Sequence, residues 1–276
     1  MKILDGKALA AQLRAELKER IDTMQRKPGL AVVIVGADPA SQIYVRNKIK
    51  ACGELGIRSY VYELAENTTQ VELEKLLEEL GSKREVDGIL LQMPLPKHLD
   101  ADAATRKIPF EKDVDGFSAK NLGLLVQHKE TIAACTPSGI MKMLQVEGID
   151  VTGKNAVVLG RSETVGKPMA LLLLNANATV TVCHSKTKNI KQISQTADIL
   201  ISAVGKAKFV TAEMVKEGAI VIDVGMNRDE DGKLCGDVDF EQVKEKVSYI
   251  TPVPGGVGPM TITMLMYNTY LAACKE

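Results

Sequence analysis

The chain has 276 residues, 45% of them hydrophobic and 25% charged, a globular composition that excludes a disordered or fibrous protein and is long enough for two domains. Its 35 basic and 35 acidic side chains cancel, so it lacks the positive field of a general nucleic-acid binder. The five cysteines, Cys52, Cys135, Cys183, Cys235 and Cys274, are scattered and form no CxxC pair, which argues against a metal site or a disulfide framework and for a reducing, cytoplasmic compartment.

The N-terminus interrupts its apolar residues with charges before a signal-peptide core could form. Leu9, Leu13, Leu17, Ile21 and Met24 then recur at helical spacing. A β-rich run, LAVVIVG at 30–36, precedes a helical pattern at about 39–55, and the strand-like SYVYEL follows. Thr69 and Glu72 form a capping box that opens the next helix. VDGILLQMPLP predicts a buried strand that ends near Gln92, where Pro94 and Pro96 stop the ladder. From about 100 to 135 the pattern loosens into what reads as a hinge. Thr136 offers an N-cap and Pro137 the first position of a helix to about Glu147. Four apolar runs, NAVVLG, ATVTVC, ADILISAVG and GAIVIDVG, are then separated by three helical stretches. TPVPGGVGPMT, 251–261, reads as irregular, and a last helix begins near Met260. Its apolar stretch is too short to cross a bilayer and contains Asn268. Strand–helix alternation predicts an α/β fold with an N-terminal substrate domain and a Rossmann-like doubly wound domain. The expected boundaries are 1–120, completed by a C-terminal helix at 258–276, and 121–257.

Two regions carry candidate chemistry. In AVVLGRSETVGKP, 156–168, Gly160, Arg161, Ser162 and Gly166 lie between a strand and a helix, where backbone N–H groups meet a pyrophosphate. The spacing departs from GxGxxG, and the segment also suits an ordinary strand–helix turn. The next strand ends in His184-Ser185-Lys186 with no carboxylate for a ribose hydroxyl, whereas Arg161, Ser185 and Lys186 would accept a 2′-phosphate, so NADP is the expected cofactor. In the first half, Tyr44 and Lys48 are four residues apart and share a helix face. A ring beside an amine suits a flat ligand that needs proton transfer, and it equally describes a lysine packed along a surface tyrosine. Gln92, at a strand's carboxyl end, offers the lysine an acceptor, and Asp113 and Asp115 of DVDG offer acceptors to an amino-pyrimidine, with one of the two expected to serve an Asx-turn. From these residues alone, a dehydrogenase of another small substrate and a nucleotide-sensing module also remain open.

YVRNKIKACGELGI, DGILLQMPLP, KDVDGF, CTPSGI, GRSETVGKPMA and TPVPGGVGPMT occur in the order found in the bifunctional methylenetetrahydrofolate dehydrogenase/methenyltetrahydrofolate cyclohydrolase family, which the chain resembles from about Lys2 to its last helix. The resemblance implies oxidation of 5,10-methylenetetrahydrofolate with NADP and hydrolysis of the product to 10-formyltetrahydrofolate, in a homodimer with folate between the domains. It implies Lys48 as the catalytic lysine, Tyr44 as the ring-positioning residue, Gln92 as the lysine's partner and Asp115 as the pterin ligand, with Asp113 less certain. Pro254, Gly255 and Gly256 are implied to lie against folate. Gly160, Arg161, Ser162 and Ser185 are implied to hold NADP, with Met226, where members often carry isoleucine, near its nicotinamide end.

Overall fold

The computed structural model describes residues 1–275, Ala40 by its backbone alone. The chain gathers into two compact units, one formed by residues 12–135 with the segment from Ile262 onward, the other by residues 1–11 with 136–261.

Strand β1 (Lys2–Ile3) and helix α1 (Gly6–Asp22) precede strand β2 (Gly29–Val35), every residue of which is buried, as in a strand covered on both faces. Helix α2 (Pro39–Leu55) starts where the Asp38 carboxylate accepts the Ser41 N–H at 2.7 Å, and it stops at Gly56, whose φ of 76° reverses the chain. Strand β3 (Arg58–Leu64) leads to helix α3 (Gln70–Ser82), which opens with the expected capping box between Thr69 and Glu72. Leu73, Leu77 and Leu80 of α3 are fully buried at helical spacing. Strand β4 (Gly88–Leu91) ends one residue before Gln92. The three strands are parallel in the order β3-β2-β4. The chain leaves β2 for one neighbour and later returns to the other, so the connections part at the carboxyl end of the sheet. The expected hinge at 100–135 contains two helices, α4 (Ala101–Thr105) and α5 (Ala119–Val126), with Asp100 and Ser118 as side-chain caps. Both are too short for periodicity to register.

Helix α6 (Cys135–Val146) begins one residue ahead of the expected cap. Strand β5 (Asn155–Leu159), helix α7 (Gly166–Asn175), strand β6 (Thr179–Cys183), helix α8 (Ile190–Ser194) and strand β7 (Ile199–Ser202) follow. Where a third helical stretch was expected, ahead of strand β8 (Ile220–Asp223), there is only a 3-10 turn at Ala212–Met214. Part of that connection pairs with a later segment instead, through Lys208 N–H to Gly236 O at 3.2 Å and Val210 N–H to Asp237 O at 2.9 Å. A small hairpin of β9 (Asn227–Arg228) and β10 (Leu234–Cys235) precedes helix α9 (Phe240–Val243), strand β11 (Tyr249–Ile250) and helix α10 (Val257–Ala273). Residues 257–261, expected to be irregular, form the first turn of α10, where Pro259 costs nothing because first-turn N–H groups have no helical acceptor.

The second sheet is parallel throughout, in the order β1-β11-β8-β7-β5-β6. This is a doubly wound arrangement whose switch point lies between β5 and β7. The units change at 135/136 and 261/262, against expected boundaries at 120/121 and 257/258, and residues 1–11 lie with the second unit because β1 pairs with β11. Leu265, Met266 and Ala272 of α10 join Ile21, Leu30 and Leu55 in one core of the first unit. Among the described residues no helix is long and apolar enough to cross a membrane.

Thr69→Ala removes the side-chain half of the capping box, leaving the Thr69 N–H to Glu72 bond, and should lower stability by about 1 kcal/mol. Urea denaturation followed by circular dichroism reads this as an earlier midpoint, and an unchanged midpoint would show that this half of the box contributes nothing.

Candidate functional site

In the first unit, α2 follows β2 and Gln92 follows β4, so the two connections meet at the sheet's carboxyl edge. Val45, Cys52 and Leu55 bury one face of α2; Lys48 lies on that same face, half-buried, and Tyr44 stands exposed at its border. Lys48 Nζ donates to Gln92 Oε1 at 2.9 Å, and the Gln92 amide donates to the Met93 carbonyl at 2.5 Å. That second bond fixes which end of the amide faces the amine. The expected Lys48–Gln92 pair is therefore formed.

The two aspartates of DVDG divide. Asp113, 2% exposed, accepts from the N–H groups of Gly116 at 3.1 Å and Ser118 at 2.6 Å and from Asn121 Nδ2 at 3.1 Å. Its acceptor capacity is spent on the loop, as an Asx-turn requires. Gly116 sits at φ 74°, and a Cβ there would lie 2.5 Å from the Ala133 carbonyl carbon, so only glycine allows the turn. Asp115 makes no hydrogen bond to any described residue. Burial pushes its carboxyl up to about 6, Lys48's charge pulls it down and Asp113's charge raises it. It is an acceptor held near an amine and left for a ligand.

Below the loop lies a residue that sequence reasoning used only as an interruption of an apolar run. Asn268 of α10, 3% exposed, donates to the carbonyls of Val114 at 2.9 Å and Ala133 at 3.2 Å. It anchors the backbone between Asp113 and Asp115. The only sequence signal was an amide in an otherwise apolar helix. Cys135 donates to the same Val114 carbonyl at 3.3 Å, and burial holds its thiol well above the ordinary range, so it is a packing group rather than a nucleophile.

In the second unit, a cavity of about 420 Å³ opens at the carboxyl ends of β5, β6 and β7, at the switch point. Gly160, Arg161, Ser185 and His184 line it, together with Lys206 and Phe209, which sequence reasoning missed. Two loop glycines are required by backbone approach: a Cβ on Gly160 would lie 2.3 Å from Ala203 O, and one on Gly166 would lie 2.3 Å from Gly160 O. The Ser162 hydroxyl accepts from the Val165 and Gly166 N–H groups at 3.2 and 3.3 Å, capping the entry to α7. Lys186 is not part of this lining; its N–H donates to His184 Nδ1 at 3.2 Å. Met226 is exposed and also lies outside the lining. A phosphate-bearing dinucleotide fits this donor set: Arg161, Lys206 and the Ser185 hydroxyl.

A groove of similar volume opens at the opposite, amino ends of these strands, but there Lys216 pairs with Asp198 at 2.5 Å and the strand polarity is wrong for a nucleotide. The Pro254–Gly256 segment is tightly packed within its own unit. Lys7 N–H donates to Gly255 O at 2.9 Å, and a Cβ on Gly256 would lie 2.4 Å from Pro252 O.

Residues 4–115 match the family model described as Tetrahydrofolate dehydrogenase/cyclohydrolase, catalytic domain, and residues 134–276 match the NAD(P)-binding domain of the same description. The "Bifunctional protein FolD" of Campylobacter curvus (strain 525.92) is 57% identical over 276 residues, covering 99% of this chain and 96% of the relative. The crystal structure of the bifunctional FolD methylenetetrahydrofolate dehydrogenase/cyclohydrolase from Campylobacter jejuni superposes with a TM-score of 0.98 at 52% identity, covering 100% of this chain and 99% of that one. The Trypanosoma brucei N5,N10-methylenetetrahydrofolate dehydrogenase-cyclohydrolase, complexed with NADP cofactor and inhibitor, gives a TM-score of 0.93 at 41% identity, covering 99% and 97%.

Asp115 has a measurable signature. Its pKa in the fold, about 6, lies above the ordinary 3.8, so its contribution to stability is full below pH 3.8 and is lost as pH rises through 6. Asp115→Asn should therefore stabilise the protein at pH 8 by up to about 3 kcal/mol, at roughly 1.4 kcal/mol per pKa unit. The gain should vanish near pH 4. Urea titrations of both proteins at the two pH values check this, and a gain independent of pH would rule out the titration as its source.

Proposed function

The chain belongs to the tetrahydrofolate dehydrogenase/cyclohydrolase family, and from that premise we propose that Lys48 performs the proton transfers of hydrolysis while the Gly160–Gly166 loop holds NADP. The protein is a bifunctional enzyme: it oxidises 5,10-methylenetetrahydrofolate to 5,10-methenyltetrahydrofolate with NADP and hydrolyses that product to 10-formyltetrahydrofolate.

The observation that carries the residue roles is the Lys48 amine, bonded to Gln92 at 2.9 Å, beside an Asp115 carboxylate that no protein donor occupies. A reduced pterin presents a ring N–H and an exocyclic amino group on one edge, and a carboxylate accepts from both. Asp115 takes that edge and Tyr44 takes a face of the ring. The oxidation needs little from the protein beyond positioning, because the cationic product is stabilised by its own two nitrogens. NADP, when bound, supplies the hydride acceptor.

Hydrolysis asks more. Water adds to the methenyl carbon and loses one proton to give a neutral carbinolamine. The remaining hydroxyl proton is passed to the ring nitrogen as the C–N bond breaks and the formyl C=O forms, so one proton is released overall. Lys48 is the amine available for both transfers, and Gln92, itself oriented by the Met93 carbonyl, holds the amine in one direction. Arg161 and Ser185, in the cavity lining, bind the phosphates of NADP, with Gly160 and Gly166 keeping the loop tight and Ser162 capping it. The same reading takes the protein as a cytoplasmic homodimer acting on a small folate, with no nucleic-acid or membrane partner. Cancelled charge and five free thiols support that assignment.

Lys48→Met should keep measurable NADP-dependent oxidation and lose at least about 100-fold in hydrolysis, the scale of general acid–base catalysis. Following methenyl formation and decay by absorbance separates the two activities, and equal loss of both would refute the division. Arg161→Ala should lower kcat/KM for NADP by about tenfold or more, as expected for a lost charged hydrogen bond, and change that for NAD far less. A parallel fall with both cofactors would place Arg161 away from the 2′-phosphate.

A further inference from the structure

The second unit buries two carboxylates that the chemistry above does not use. Asp237 is fully buried, and its carboxylate receives five donors. Val204 N–H and Gly205 N–H reach Oδ2 at 2.7 and 3.2 Å, and Lys206 N–H reaches Oδ1 at 3.0 Å. The Ser202 hydroxyl donates to Oδ2 at 3.3 Å and Asn227 Nδ2 to Oδ1 at 2.9 Å. Three successive backbone N–H groups converge because Gly205 adopts φ 67°, the geometry of a nest for an anion. In this protein the anion is a side chain contributed from more than thirty residues along the chain.

Ala203, Val204 and Lys206 line the dinucleotide cavity, so the nest is one of its walls. Since Asp237 fills the nest, these N–H groups are not offered to a phosphate, and anion binding falls to the Gly160–Gly166 loop and the side chains. Asp223, 3% exposed, secures the segment in turn by accepting from the N–H groups of Asp237, Val238 and Gly225, each at 2.9 Å. A Cβ on Gly236 would lie 1.8 Å from Asp223 Oδ2, and one on Gly225 would lie 2.3 Å from Asp237 Oδ1, so the two carboxylates and two glycines pack as one unit.

We propose that Asp237 is a positioning residue for the dehydrogenase half of the activity: it fixes the Val204–Lys206 wall and the Lys206 side chain against NADP. The proposal rests on the assignment of that cavity to NADP. Asp237→Asn turns an acceptor into a donor facing N–H groups and should release the wall. Gly205→Ala strains the same turn from outside, where a Cβ meets nothing within 4 Å, and so leaves the core untouched.

Both variants should raise the KM for NADP and the calorimetric Kd for NADPH at least tenfold. Hydrolysis of supplied 5,10-methenyltetrahydrofolate, which consumes no NADP, should stay within twofold. Equal loss of the two activities in Asp237→Asn, with NADP binding unchanged in Gly205→Ala, would make Asp237 merely structural and overturn the proposal. Unchanged NADP binding in both variants would overturn it too. Failure of the parent enzyme to turn over either folate would instead sink the functional assignment beneath it.

Discussion

Parallel strands end together, and that constraint decides where both candidate sites lie. β2, β3 and β4 run the same way, as do the strands from β5 to β8, so each sheet delivers all its carboxyl ends to one edge. In each sheet the chain crosses first to one side of the central strand and then to the other, and the connections diverge there and leave a crevice. One crevice receives α2 with Lys48 and the end of β4 with Gln92. The other receives the Gly160–Gly166 turn, Ser185 and Lys206. Chemistry that needs an amine and chemistry that needs phosphate donors are thus built on one architectural rule used twice.

Four aspartates show how the protein distributes the cost of burying charge. Asp113, Asp223 and Asp237 each collect three or more donors and each ties a loop in place, although at Asp223 burial still outweighs the donors and pushes the carboxyl up to about 6. Asp115 collects none, and burial dominates its titration. The contrast within one tetrapeptide, DVDG, separates a carboxylate that shapes the loop from one that the loop presents. Asn268 makes the separation rigid by bonding the Val114 carbonyl between them.

What was legible in the sequence follows from the range of the interactions. The buried β2 run, the Thr69–Glu72 box and the Tyr44–Lys48 pair on α2 are set by spacings of a few residues, and all were readable. The loop glycines were readable as a turn, although Gly166 proved to be required by the carbonyl of Gly160 rather than by any ligand yet described. Illegible were the features whose meaning depends on distant partners. β1 is two residues long and exists because Tyr249 and Ile250 lie beside it. Asn268 reads as a flaw in an apolar helix until Val114 is seen beneath it, and Asp237 reads as an ordinary acidic residue until the Val204–Lys206 turn closes around it. Lys206 carried no motif at all, because its place beside the cavity is set by that closure.

The interleaved course of the chain has a consequence for biosynthesis. The core around Ile21, Leu30 and Leu55 lacks Leu265, Met266 and Ala272 until nearly the whole polypeptide has been made, and β1 waits for β11 over almost as long. Domains generally assemble in order as they leave the ribosome, at about 5–20 residues per second. Here the earliest-made segments must persist for many seconds with apolar surface uncovered, and a nascent chain stalled before residue 262 would be a natural client for chaperones.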